Sequence, residues 1–470
     1  MLSRRELLIL LALFALSLPA VTARLYSSDE VEYFSYLRSL WFDHDVSFDN
    51  EYRYFFEHRI AQSGDFHQTF LELETDTGRR INYGTVGCAI LWSPFYAVAD
   101  VATRTMRVTG RPVEANGYSQ PYISAVAYGS AFYGFAAIVL AIAVTRQVIG
   151  STEFSSGLAV WFGTPLLFYM YVAPPFSHAC SAFAVAAFVA IWMKVRQTWS
   201  LGGITALGFA AALMAMVREQ DIFCALGPAV DFVVSYVAQR GEPRPRPAWV
   251  GPFAGAVAFL VGYLPQLIAY QALNGFPRPS PLVTRKMFWY SPHALQVLAD
   301  PAHGFLLWTP LALLALVGLL AMTFAPSRVA DPGTSRSIRD LRQVGSCMLL
   351  MIALQVYVSG AVESWTVAGA FGQRRFVAVT IFLVVGLAAC RRAAAAFPFI
   401  RIATNIAIVL CVWWNLALTL EFGTLMMDRQ KLELRRNAYD AFVTLPRTAP
   451  QLFYRYFTNR SSFYKPAGSH

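Results

Sequence analysis

YISAVAYGSAFYGFAAIVLAIAV, residues Tyr122–Val144, contains no charged side chain and is followed by Thr145-Arg146. About 20 largely apolar residues suffice to cross the hydrocarbon core of a bilayer, so this stretch predicts a membrane-spanning helix. Working outward, comparable runs lie at Leu7–Val21, Leu158–Ala173, Ala179–Met193, Leu201–Val217, Ile222–Val237, Val250–Tyr270, Phe305–Phe324, Val344–Val358, Phe376–Ala389 and Ile402–Leu420. The expected fold is an all-α integral membrane protein of about eleven spans. Composition points the same way: of 470 residues 56% are hydrophobic and 14% charged, with a mean hydropathy of +0.45. A soluble domain carries about 25% charged residues. A chain this poor in charge cannot cover a water-facing surface, so lipid is the solvent for much of it.

The net charge of +10 fits basic loops facing anionic headgroups. It does not imply a nucleic-acid partner, because neither a basic helix nor a zinc pattern is present. The bias of basic residues towards inner loops sets the orientation. One apolar stretch, Ile90–Val101, is short, contains Pro94 and is followed by Arg104 and Arg107; it reads as an interfacial helix. With it left outside, the inner loops hold Arg146; Lys194 and Arg196; Arg240, Arg244 and Arg246; Arg328, Arg336, Arg339 and Arg342; and Arg391, Arg392 and Arg401. Counting it as a span would place all of these outside. The expected organisation is a transmembrane domain over 1–420, with its N-terminus inside and a long first outer loop over 24–117 carrying interfacial helices. A short outer tail follows over 421–470, whose Phe453, Tyr454, Tyr456, Phe457, Phe463 and Tyr464 suit a headgroup layer. The basic start of the first span and its Val21-Thr22-Ala23 exit also fit a signal peptide; either way Arg24 onward lies outside. Six cysteines are scattered singly, with no zinc spacing and no argument for a disulfide.

Three outer segments can carry chemistry. Ser27-Ser28-Asp29-Glu30 opens the first outer loop with a capping-box spacing, so a helix starts near Asp29 and the carboxylate sits among free backbone N–H groups. Val31, Phe34, Leu37, Leu40 and Trp41 follow on roughly one face, and a second acidic cluster holds Asp43, Asp45, Asp49 and Glu51. Composition alone favours a capped, solvated acidic loop. The second segment, Glu363–Phe376, pairs glycines with Arg374 and Arg375. These arginines are either snorkelling anchors or a phosphate clamp, since the planar guanidinium matches phosphate geometry. The third, Asn274–Gly304, contains Arg285, Lys286, Trp289, His293 and His303 and is equally well a plain connector. Arg218-Glu219-Gln220-Asp221 forms a polar hairpin, and His178 opens a span, where a lone histidine is more often structural than a ligand. No nucleotide-binding or zinc-protease motif occurs, so the energy for any chemistry must arrive with the substrate.

Taken in order, these elements resemble the GT-C superfamily of membrane glycosyltransferases, near the bacterial family 39-type enzymes and the protein O-mannosyltransferases. The resemblance rests on Asp29-Glu30 after the first helix and on Asn82-Tyr83-Gly84 with Leu91-Trp92-Ser93-Pro94-Phe95-Tyr96 as a juxtamembrane helix. It continues in Thr145-Arg146-Gln147-Val148-Ile149-Gly150, in Met216-Val217-Arg218-Glu219-Gln220, and in Trp365 with Gly369–Phe376 as a late outer loop. Its motifs are short; their order along the whole chain is the stronger signal. Ile81-Asn82-Tyr83 departs from the Lys-Pro-Pro or Lys-Tyr-Pro element of many members.

The resemblance implies an inverting transfer of a sugar from a polyprenyl-phosphate donor to the hydroxyl of a lipid, glycan or protein acceptor, in a bacterial inner membrane with the site on the periplasmic face. Asp29 would be the catalytic base, with Glu30, Asp49 and Glu51 as supporting acids. Arg374, Arg375 and Arg218 would hold the donor phosphate, and Tyr83, His178 and Trp365 would line the substrate. The resemblance leaves room for a divalent metal, but arginines alone can neutralise a monophosphate, so no cofactor is expected. An anchored first helix, which would hold Asp29 at the membrane surface, argues against cleavage after Ala23. The rival expectations are a multi-pass transporter or lipid flippase, a GT-C-like polymerase or ligase using a lipid-linked oligosaccharide, and a non-catalytic scaffold.

Overall fold

A computed structural model describes residues 2–60, 65–150, 153–238, 249–330, 337–367 and 369–463. The inner-loop residues Arg240, Arg244, Arg246 and Arg336, together with Ala368 and Tyr464, lie outside the described residues. The described residues are helical, and the only β pairing among them is two isolated bridges, Glu74 with Arg80 and Met287 with Val362. Among the described residues, seven helices are long and apolar enough to cross a membrane: Gln120–Ile149, His178–Val195, Glu219–Ala238, Val250–Asn274, Ile338–Ala361, Arg374–Ala394 and Pro398–Gly423. The molecule therefore has the character of a multi-pass membrane protein.

The other four apolar runs are shorter or broken. The first helix stops at Ser17, and Pro19 sits in the turn that follows. The run from Leu158 splits at Thr164-Pro165 into Glu153–Gly163 and Leu166–Tyr171. The run from Phe305 splits at Thr309-Pro310 into Phe305–Trp308 and Leu311–Phe324. Proline removes a backbone donor and clashes with the preceding turn, which ends a helix. Leu201–Val217 is continuous and matches its expected bounds. Ile90–Val101 lies in Gly87–Val108, which is not among the seven.

Burial separates a central helix from peripheral ones. In Arg374–Ala394, 83% of the apolar window is buried, against 22% in Val250–Asn274. The latter presents Phe253, Leu260, Val261 and Ile268 outward, a surface that lipid tolerates and water does not. The central helix packs tightly because small residues line it. A Cβ on Gly318 would lie 1.7 Å from the Gly386 carbonyl oxygen, so the two backbones touch as small-residue crossings allow.

The bundle has two distinct ends. At one, Arg146 pairs with Glu6 at 2.7 Å, Arg196 with Asp231 and Asp340, and Arg391 contacts Ser156 at 3.4 Å. At the other, Ser17 Oγ meets the Tyr171 hydroxyl at 2.7 Å and Thr22 N–H donates to Tyr171 O at 2.8 Å. The tail closes over this second end. Tyr456 Oη donates to Ala20 O at 2.8 Å and Arg460 to Pro19 O and Ala20 O, satisfying carbonyls that the first helix leaves open. Phe453, Tyr454 and Phe457 of the helix Leu445–Thr458 remain exposed.

Candidate functional site

The acidic helix forms as its capping box requires. It spans Ser28–Arg38, Ser27 Oγ accepts from the Glu30 N–H, and Glu30 Oε2 accepts from the Ser27 N–H at 3.1 Å. Val31, Phe34 and Leu37 are buried, as one apolar face predicts, but Leu40 is exposed. The chain widens into a π turn over Ser39–Asp43, and i→i+5 bonding rotates the residues beyond it off the original face.

This helix brings Asp29 to the second end of the bundle, where Arg374 Nη1 donates to Asp29 Oδ2 at 2.6 Å. The pair lines a pocket of about 150 Å³ with Tyr26, Phe168, Tyr169, Phe176 and Phe371. Neither partner is sealed: the Asp29 side chain is 38% exposed and that of Arg374 is 21% exposed. The Arg374 guanidinium lies 5.5 Å from the Phe176 ring centre, a cation–π arrangement that holds the fork in place.

The loop before Arg374 is stitched from several sides. Tyr169 Oη donates to Phe371 O at 3.1 Å, His303 Nε2 bonds Ala370 O at 2.8 Å, and Gln373 Nε2 donates to Trp365 O at 3.0 Å. Gly372 takes φ +59°, and a Cβ there would lie 2.9 Å from Pro165 Cγ, so glycine meets both constraints. Burial holds the His303 imidazole down at about 4, hence neutral.

The remaining expected site residues fall around this pocket rather than in it. Arg375 turns inward, donating to Ser364 O at 3.0 Å and Ser364 Oγ at 3.1 Å, and braces the loop. Arg218 Nη1 lies 2.6 Å from His178 Nδ1. An arginine can only donate, so His178 is the acceptor and carries its proton on Nε2. His178 also packs edge-on against Tyr169 and stacks on Phe176, which makes the His178–Arg218 pair a second layer behind the Arg374 platform.

Glu30 is buried, and burial pushes its carboxyl up to about 8; it serves the cap. Asp49 bridges Arg53 and Arg80, and Glu51 pairs with Arg38 at 3.0 Å; neither lines the pocket. Trp365 stacks on His293. Tyr83 lies under Lys286, 4.8 Å from ring centre to Nζ, and its N–H donates to Glu32 Oε2 at 2.7 Å.

Glu32 is the acid that sequence reading passed over. It is buried, and desolvation followed by the neighbouring Asp29 charge pushes its pKa up to about 8. Its spacing of three residues from Asp29, one turn along the same helix face, was the available signal. The aromatic walls had no such signal, since Phe168, Phe176 and Phe371 come from separate segments. No group of acidic, histidine or cysteine side chains among the described residues is arranged to hold a metal ion. Chemically, the pocket offers a carboxylate, a guanidinium and aromatic faces. No family model matches the chain, and no curated protein matches it.

Proposed function

We propose that this chain is an inverting, GT-C-like glycosyltransferase that moves a sugar from a polyprenyl-phosphate donor to an acceptor hydroxyl, with Asp29 as base. Its chief support is the half-open Asp29–Arg374 pair at 2.6 Å in an aromatic-walled pocket at one end of an apolar bundle. In this proposal the chain crosses a bacterial inner membrane eleven times and the pocket faces the periplasm. The proline-broken runs complete crossings as paired half-helices, which lipid tolerates where neighbouring protein covers the break.

At rest Arg374 neutralises Asp29. A donor phosphate entering the pocket competes for the guanidinium, since a planar fork binds phosphate as well as carboxylate. Asp29 is then released beside the acceptor hydroxyl and takes its proton as the oxygen attacks the anomeric carbon. The bond from that carbon to the phosphate oxygen breaks with its electron pair going to oxygen, and Arg374 stabilises the charge that develops on the leaving lipid phosphate. Attack opposite the leaving group inverts the anomeric centre. Arg218 and His178 support Phe176, and Arg375 fixes the loop.

The test is transfer from a defined polyprenyl-phosphate monosaccharide by the purified protein in lipid nanodiscs, with and without divalent metal. Sugar appearing on a hydroxyl acceptor with inverted configuration, and lost in Asp29→Asn, is the expected result. Donor crossing the membrane without transfer would replace the proposal with a flippase.

A further inference from the structure

A second cavity adjoins the Asp29 pocket across a shared wall. It measures about 230 Å³ and shares Tyr26, Phe168 and Phe422 with the first. Its other lining combines cations with apolar groups: Arg24 and Arg429, then Val172, Leu425 and Phe463. The Arg429 guanidinium stacks 4.7 Å from the Phe422 ring centre and donates Nη2 to Phe422 O at 3.1 Å. Its Nε has no acceptor among the described residues, so the fork is under-satisfied. Tyr26 lines both cavities, with Arg374 in the first and Arg429 in the second.

We propose that this groove is an anionic-lipid subsite separate from the Asp29 pocket, with Arg24 and Arg429 holding a phosphate whose alkyl chain runs along Phe168, Val172, Phe422 and Leu425. Charge complementarity selects an anion, and the apolar wall selects one carried on a chain. The groove lies where the exit of the first helix, the helix Leu166–Tyr171 and the end of Pro398–Gly423 meet. Apolar segments therefore converge on its floor while Leu425 and Tyr26 stay exposed at its rim, the placement a headgroup requires. On the transferase reading, this subsite holds a lipid-borne acceptor while the donor occupies the Asp29 pocket. The binding claim itself does not depend on turnover.

The test is equilibrium binding of dodecyl phosphate to the full chain in nanodiscs, with dodecanol and inorganic phosphate as parallel arms. Dodecyl phosphate should bind at least tenfold more tightly than either. Arg429→Gln should weaken it at least tenfold and Arg429→Lys should restore part of the loss. Gly423 provides a second probe: it lines the groove, and a Cβ there meets nothing within 4 Å. Gly423→Phe should therefore plug the groove without disturbing the fold, and abolish binding. Asp29→Asn should bind normally even if it transfers no sugar, which separates this claim from the fate of the transferase reading. Unchanged binding in both Gly423→Phe and Arg429→Gln overturns the proposal. So does equal binding of inorganic phosphate or dodecanol, or loss of binding in Arg374→Gln with Arg429→Gln unaffected.

Discussion

Two arginine–carboxylate pairs sit at opposite ends of this bundle and are finished differently. The helix His178–Val195, about 27 Å long at 1.5 Å per residue, separates them: Phe176, just before its start, lies against Arg374, and Arg196 follows the other terminus. At the Arg196 end, Asp231 is fully buried and accepts from Arg196 Nε at 2.8 Å, Arg196 Nη2 at 3.0 Å, Trp192 Nε1 at 2.8 Å and Gln343 Nε2 at 2.6 Å. Those donors saturate a carboxylate's roughly four acceptor sites. Asp29 accepts one hydrogen bond among the described residues, from Arg374, and keeps an exposed edge. A saturated pair locks two helices together. An unsaturated pair at a pocket wall still has acceptor capacity to give a substrate.

The largest effect that would break this contrast is catalytic. Asp29→Asn should lower sugar transfer by about 10²–10⁴-fold, the usual weight of a positioned general base. Its stability should change by no more than about 1 kcal/mol, because a solvent-reachable ion pair contributes little. Transfer assays alongside thermal unfolding in the same nanodiscs check both halves. Wild-type turnover would remove Asp29 from the chemistry.

Asp231→Asn should do the opposite. Taking the charge from Asp231 weakens a buried cluster in which Arg196 still keeps Asp340, so the loss should be about 1.5–3 kcal/mol, the weight of a hydrogen bond to a charged group. The unfolding midpoint should drop sharply while transfer per folded molecule stays the same. A rate loss without a stability loss would mean that the far end also takes part in function.

Arg374 and Arg375 sharpen the comparison within one dipeptide. Arg374→Lys keeps the charge but loses the fork, and transfer should fall by about 10²-fold, as when one transition-state donor is removed. Arg375→Lys loses the bonds to Ser364 and should cost about 1.5–3 kcal/mol of stability, with a smaller effect on rate. Equal rate losses would place both guanidiniums on the substrate.

The same dipeptide shows where sequence reading reaches its limit. The capping spacing of Ser27 and Glu30 located the start of the acidic helix, and the apolar runs located the long helices, because both are local patterns. Choosing between Arg374 and Arg375 is not local. They open a 3₁₀ turn, where successive side chains diverge by about 120°, so only one of the two can face the pocket. Which one does is set by partners distant in sequence or across the loop: Asp29 takes Arg374 and Ser364 takes Arg375. Asp49 and Glu51 are expected as supporting acids to Asp29, yet Arg80 and Arg38 draw them into ion pairs of their own. Pro165 and Pro310 lie inside apolar runs that read as single spans, because apolar composition does not register the backbone break a proline makes.

The smallest expected effect concerns Glu32, a buried carboxyl beside an open site. Burial and the Asp29 charge raise its pKa from 4.5 to about 8, against the opposing bond from the Tyr83 N–H. At neutral pH the folded protein therefore keeps a proton that the unfolded chain has lost. Below about pH 4.5 both states are protonated and Glu32 costs nothing. Between about 4.5 and 8 the folded state binds more protons, so stability falls as pH rises, and above 8 the slope vanishes. Glu32→Gln keeps an oxygen for the Tyr83 N–H and has no proton to lose. Its unfolding midpoint, compared with wild type, should therefore rise progressively across that window and level off above it. Glu30 and Glu51 shift in the same direction but remain in both proteins, so the difference isolates Glu32. Midpoints that run parallel from pH 5 to 8 would mean that Glu32 is already ionised in the folded protein. Its charge would then be balanced by Lys286, which opposes the upward shift, and a buried anion would sit one helical turn behind Asp29.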